Sequence, residues 1–401
     1  MEGLFRHKKV FLQLLVAGGI LLLAAAEDTG PRRFFLKPTL ELPVDTVYRY
    51  LVLEEDSIPN DTLFQLRSAE GFPLAYYRKI NTNVCFDGTC RMLKVQLYWN
   101  ITGRYLGIEL PPGEFLSKTD HEKFNLSEYA RMNHLLADSL SPLADFTFED
   151  LVPPAGDLLP EGAAAPTLGN PALGGLTADA VTSATAPAMA DYVVAGAAYT
   201  TYRLWHFVYG PTRDEIQRLT QQSLSDGLLV HILASPDASD VAWGLQRAGD
   251  YLSSSGPLRE AVLSRIANED FSLASMAIDA IGPASLSSSA FQQALMRKLS
   301  GLNYSLKNKL VDKLGEAPAL DPEVRAALVK SLETASGSYL SHLFALLLKQ
   351  KVNDAETCLE ISNLLEHENH FVASQTFQFL EKAACEDEVV QQRMNRYRNK
   401  R

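Results

Sequence analysis

The chain has 401 residues, enough for two or three domains, and 46% of them are hydrophobic, enough for sizeable cores. Its formal charge of −11 argues against a nucleic-acid partner, which selects a basic surface. Four cysteines are too few for a disulfide scaffold but enough for local bridges.

Arg6, Lys8 and Lys9 precede an apolar run, Val10 to Leu23, and Ala24-Ala25-Ala26 follows it. This order is that of a secretory signal peptide over residues 1–26 with an A-x-A cleavage site. No Cys follows that site, so no lipoprotein anchor is indicated. The run is short for a stable span, and an uncleaved anchor is the alternative. A periplasmic or extracellular address is therefore expected, where disulfides persist. Four N-x-[ST] sequons, at Asn60, Asn100, Asn125 and Asn303, matter only in a eukaryotic secretory pathway.

Residues 32–153 read as a small α+β domain with an antiparallel sheet. Leu93, Val95, Leu97 and Trp99 alternate with Lys94, Gln96 and Tyr98. Asn100 to Gly103 supplies a turn, and Leu106, Ile108 and Leu110 alternate again. This period of two predicts a hairpin. Tyr48–Leu53 and Leu74–Ile80 are weaker strand candidates, and Asn125 is placed to cap a helix over Leu126–Leu136. Cys85 and Cys90 flank an Asp87-Gly88 turn, which puts two sulfurs on facing strands as a plausible bridge. Lys118-Thr119-Asp120-His121-Glu122 is a polar loop, read first as solvated and second as a contact for a phosphate or ring edge.

Residues 154–178 are rich in Pro, Ala and Gly and read as a tether. At its end stands Asp179-Ala180-Val181-Thr182-Ser183-Ala184-Thr185. Read by itself, Asp179 or Thr182 is a helix cap, and Thr185 is a hydroxyl with slim neighbours. A helix is predicted over Pro187–Tyr209, started by Pro187 and stopped by Gly210-Pro211.

The segment closely resembles the attachment motif of covalent FMN-binding domains. These occur in subunits of sodium-translocating NADH:quinone reductases and related membrane electron-transfer complexes. The resemblance implies an FMN phosphoester on Thr185, with Asp179, Thr182, Ser183 and Ala184 forming the sequence that a flavin transferase recognises. The order sheet, motif, helix extends the likeness over residues 72–205, with the seven residues as its specific part. On this reading residues 179–210 are the attachment motif and its helix. Tyr199, Tyr202, Trp205 and His206 lie on that helix, as core aromatics or as neighbours of the flavin.

The second half repeats. Leu233, Ile266, Leu299, Leu332 and Leu365 stand 33 residues apart. Leu229, Val262, Leu295, Leu328 and Ile361 precede them by four, and Asp237, Asp270, Asn303, Ser336 and Asn369, all good N-caps, follow by four. Residues 212–401 are thus expected to form an all-α solenoid resembling HEAT-type repeats, of about five or six helix pairs. Residues Arg213–Leu224 would close one end and the basic last helix the other. Cys358 and Cys385 fall in successive second helices with six residues of axial offset, about 9 Å, which favours two buried thiols over a bridge.

There is no G-x-S-x-G, H-E-x-x-H or Walker A loop, and the histidines show no metal-ligand spacing. Two expectations follow. The first is an exported flavoprotein acting in electron transfer, as a carrier or a flavin-dependent reductase. Its solenoid would dock a protein donor or acceptor, soluble or membrane-associated. The second is a cofactor-free exported binding or scaffold protein that uses the solenoid for protein interaction, with the sheet domain recognising a ligand or envelope component.

Overall fold

The computed structural model describes residues 32–51, 62–83, 92–118, 122–147, 178–179, 183–184, 190–267 and 270–400. The expected signal peptide, the Cys85–Cys90 pair and the Pro-rich tether lie outside them. Among the described residues the chain forms two compact units. One takes the chain up to Pro38 and Pro43–Leu219, and the other takes Thr39–Leu42 and Thr220–Arg401.

The first unit is built on one antiparallel sheet of six strands. They are β1 (Arg32–Phe35), β2 (Thr46–Leu51), β3 (Thr62–Arg67), β4 (Pro73–Thr82), β5 (Leu93–Asn100) and β6 (Tyr105–Leu110), in the order β1-β6-β5-β4-β3-β2. The expected hairpin is β5–β6, and the two weaker candidates fall on β2 and β4. Strands β1 and β3 were not anticipated. Alternation sends Leu63, Tyr76, Leu97, Trp99 and Ile108 to one face, each fully buried. Helix α1 (Leu126–Ala137) covers that face, and Phe34 stacks on its Tyr129 at 5.2 Å. Asn125 caps α1 in a reciprocal box: its side chain accepts the Glu128 N–H at 3.0 Å, and Glu128 accepts the Asn125 N–H at 2.8 Å.

Helix α2 spans Ala198–Val208, not the longer range predicted from Pro187. Ala190–Ala197 is a turn in which Gly196 takes φ 72° while Val193 and Val194 are buried. The Ala-rich composition favours helix there, and the left-handed glycine overrides it. Trp99 donates its indole N–H to the Val208 carbonyl at 2.8 Å, seating the end of α2 on the sheet. Helix α3 (Pro211–Gln222) follows.

The second unit is helical: α4 (Asp226–Leu233), α5 (Ala238–Leu252), α6 (Gly256–Ile266), α7 (Phe271–Asp279), α8 (Ser289–Leu299), α9 (Tyr304–Leu314), α10 (Pro322–Ser331), α11 (Gly337–Lys349), α12 (Ala355–Ser362), α13 (His370–Ala383) and α14 (Glu388–Asn399). Even-numbered helices contact the next even-numbered helix, and so do the odd-numbered ones from α5 to α13. The leucine and isoleucine positions of the 33-residue repeat are buried in one continuous cluster. Asp237, Asp270, Asn303 and Asn369 cap their helices as expected. Ser336 makes no side-chain cap bond. Tyr304, at the start of α9, replaces it: its hydroxyl accepts the Tyr339 N–H at 3.1 Å and meets Ser338 Oγ at 2.8 Å.

The strap Thr39–Leu42 belongs to this helical unit. Thr39 Oγ1 donates to the buried Asp240 at 2.9 Å, which also accepts from Ser235 at 3.0 Å.

The thiol expectation for Cys358 and Cys385 is overturned. They form a disulfide with Cα atoms 6.1 Å apart. The offset argument placed Cys385 on a helix, but α13 ends at Ala383 and Ala384 turns left-handed at φ 53°. The chain doubles back and carries Cys385 toward α12.

Two outcomes test this account. Gly337 has φ 57°, and a Cβ there would meet the Tyr304 hydroxyl at 2.9 Å. Gly337→Ala should therefore cost about 1 kcal/mol or more in denaturant unfolding. Replacing Cys358 and Cys385 together by Ser opens a loop of sequence separation 27 and should cost about 3 kcal/mol. A double variant as stable as the parent under oxidising conditions would refute the staple.

Candidate functional site

The attachment-like segment is described only in part. Ala178–Asp179 and Ser183–Ala184 form a two-residue antiparallel ladder, β7 and β8, with Asp179 opposite Ser183. Asp179, Ser183 and Ala184 are thus brought together through the backbone. Thr182 and the acceptor candidate Thr185 lie outside the described residues.

The chain is next described at Ala190, five residues beyond Thr185. From there it is held by Arg131 on α1. Arg131 Nη2 donates to the carbonyls of Ala190 and Asp191, both at 3.0 Å, and Nε donates to that of Val193 at 3.1 Å. Thr201 Oγ1 accepts the Val194 N–H at 3.1 Å and donates to the Ala197 carbonyl at 2.9 Å. Nothing in the sequence marked Arg131, because its acceptors are backbone carbonyls 59 to 62 residues away.

The aromatic side chains of α2 serve the core. Tyr202 donates to the Phe146 carbonyl at 3.0 Å, Trp205 to that of Asp138 at 2.9 Å, and Tyr209 to that of Leu136 at 2.9 Å. His206 Nε2 lies 3.1 Å from the Leu143 carbonyl. A carbonyl only accepts, so Nε2 carries the proton. Burial lowers the His206 pKa. The Leu143 carbonyl opposes that shift and the Arg203 charge reinforces it.

In the polar loop, Thr119 to His121 lie outside the described residues. Lys118 is committed to Glu122 and Glu128, each at 2.9 Å. Hydrogen bonds to these two carboxylates raise its pKa. Burial pushes the Glu128 carboxyl up, but the Asn125 N–H and Lys118 outweigh it and leave the pKa below the usual value. Lys118 is thus a brace for the start of α1. Among the described residues no group of three or more His, Cys, Asp or Glu is placed to hold a metal ion.

The fit to a flavin attachment site rests on the donor chemistry of the segment. It offers a threonine hydroxyl beside two small residues, Ser183 and Ala184, between a short ladder and a clamped turn. No protein-family model matches the chain, and no curated protein matches it in sequence.

The His206 assignment has a pH signature. Its folded pKa lies below the unfolded value of 6.5, so the unfolded chain takes up the proton first. Its contribution is complete above that value and is lost as pH falls through it toward the folded pKa. Thermal melts between about pH 7 and about pH 5 should therefore fall more steeply for the parent than for His206→Gln. Parallel profiles would refute the assignment.

Proposed function

We propose that the chain is an exported flavoprotein that carries FMN covalently on Thr185 and serves in extracytoplasmic electron transfer. The observation that carries this reading is the Asp179–Thr185 segment, whose candidate acceptor lies between the β7–β8 ladder and the turn held by Arg131. In the attachment reaction the Thr185 hydroxyl oxygen bonds to the FMN phosphorus of FAD. The phosphoanhydride bond breaks, AMP leaves, and the hydroxyl proton passes to a base of the transferase. Bound FMN would supply one- and two-electron transfer, while the chain sets where it is held and what reaches it.

Helices α4–α14 are read as a HEAT-type solenoid that docks a protein donor or acceptor. The 33-residue period and the two rows of neighbouring helices support this. The order Arg6, Lys8, Lys9, apolar run, Ala24-Ala25-Ala26 supports a signal peptide and an address in the periplasm or beyond it. Tethering suits that address, since a covalent cofactor does not diffuse away.

Co-expression with a flavin transferase tests the reading. A denaturing gel should show a fluorescent band, and the intact mass should rise by one FMN. Both should vanish in Thr185→Ala. A band that survives that change moves the site. A colourless protein beside a transferase shown to be active leaves the cofactor-free binding protein.

A further inference from the structure

The sheet has a second face, which points away from α1. Across it, Phe35, Gly107, Tyr98, Tyr77, Phe64 and Arg49 lie in register, one from each strand. Phe35 meets Tyr98 edge-on at 5.0 Å, Tyr98 stacks on Tyr77 at 5.2 Å, and Tyr77 stacks on Phe64 at 4.6 Å. Arg49 and Lys79 each stand 5.6 Å from the Phe64 ring. Gly107 permits the row: a Cβ there would meet Phe35 Cδ1 at 2.6 Å.

The ring faces are spent on one another. They offer no open stacking surface of the kind that nucleobases use. Among the described residues, solvent meets ring edges, four cations and scattered apolar side chains. Phe35 is 45% exposed at one edge of the sheet, Val47 52% at the other, and Met92 45% just before β5. The cations are Arg33, Arg49, Lys79 and Lys94. Glu109, the carboxylate among them, is held by Arg33 at 3.1 Å and by the Tyr98 hydroxyl at 2.8 Å. Lys94 also reaches Glu114 at 3.4 Å. Lys79, Asn81, Lys94 and Gln96 line a recess of about 320 Å³. A basic, partly apolar face thus stands on a chain of formal charge −11.

We propose that this face is a peripheral membrane surface for anionic phospholipid. Headgroup phosphates would enter the recess between Lys79 and Lys94, and Phe35, Val47 and Met92 would reach the boundary between headgroups and acyl chains. Cations standing beside exposed apolar side chains match an anionic bilayer, which takes up both. The inference does not depend on the flavin.

The test places a reporter on the face of the full chain. Phe35→Trp is read by fluorescence, since the native Trp99, Trp205 and Trp243 are buried. Vesicles carry brominated acyl chains, in phosphatidylcholine alone or mixed with phosphatidylglycerol. The new tryptophan should be quenched in the mixed vesicles and not in phosphatidylcholine, and high salt should release it. Lys79→Glu with Lys94→Glu should weaken partition by roughly tenfold or more, at about fivefold per cation, with the melting temperature unchanged. Val47→Trp repeats the reading from the opposite edge. Equal quenching in both lipids, or indifference to the two charge reversals, overturns the proposal. So does an unquenched reporter on vesicle-bound protein, which would assign binding to another part of the chain. Soluble polyglutamate that binds through the same two lysines, where vesicles fail, would assign the face to an acidic protein and overturn it too.

Discussion

Four side chains of one helix reach into the carbonyls of a single short stretch, and the layout of the first unit depends on it. Tyr202, Trp205, His206 and Tyr209 find their partners between Leu136 and Phe146. These bonds dock α2 beside α1, and the Trp99 indole secures its far end. Arg131 on α1 adds a second tie, holding the turn at Ala190, Asp191 and Val193 from which α2 starts. The approach to α2 is thus fixed from the same helix that α2 packs against.

Patterns that repeat or alternate were readable without coordinates. Strand β5 alternates between buried and more exposed positions, whereas β6 is buried throughout and its alternation is one of residue type alone. The 33-residue spacing of leucines is the burial pattern of the helical unit. The Asn125 box uses neighbours three residues apart, a local device with a local signature. Features set by distant partners were not readable. Strand β3 hides Gln65 in the interior, where the Tyr76 and Tyr50 hydroxyls satisfy it, so its pattern looks polar. Strand β1 turns Arg32 inward toward the Tyr129 hydroxyl at 3.4 Å, which blurs its period. Ser336 sits at a capping position by count, yet a tyrosine from the preceding repeat does the capping. The cysteine error has the same origin: a left-handed residue ended a helix that the spacing argument had continued.

Legibility was poorest at the candidate site. The seven residues of the segment are informative as chemistry and nearly silent as structure. Small side chains suit them to enter another protein's cleft, and small side chains make few contacts of their own. The turn that follows them in the chain is held by a guanidinium on another helix, bonded to carbonyls that any sequence would provide.

The two units divide electrostatic work differently. In the helical unit opposite charges interleave and pair across neighbouring repeats, as in Lys309–Asp279, His342–Asp312 and Arg325–Asp354. Surface pairs of this kind are worth little in stability. On the open sheet face the cations outnumber the carboxylates, and the one central carboxylate is already bonded. A field of one sign acts before contact and orients the approach. The cationic face and the Arg131 clamp belong to the same unit, on opposite sides of one sheet. An anionic surface seated on the open face would therefore meet the side of the sheet that α1 does not cover, and the bonds that hold the turn before α2 would not be disturbed by it.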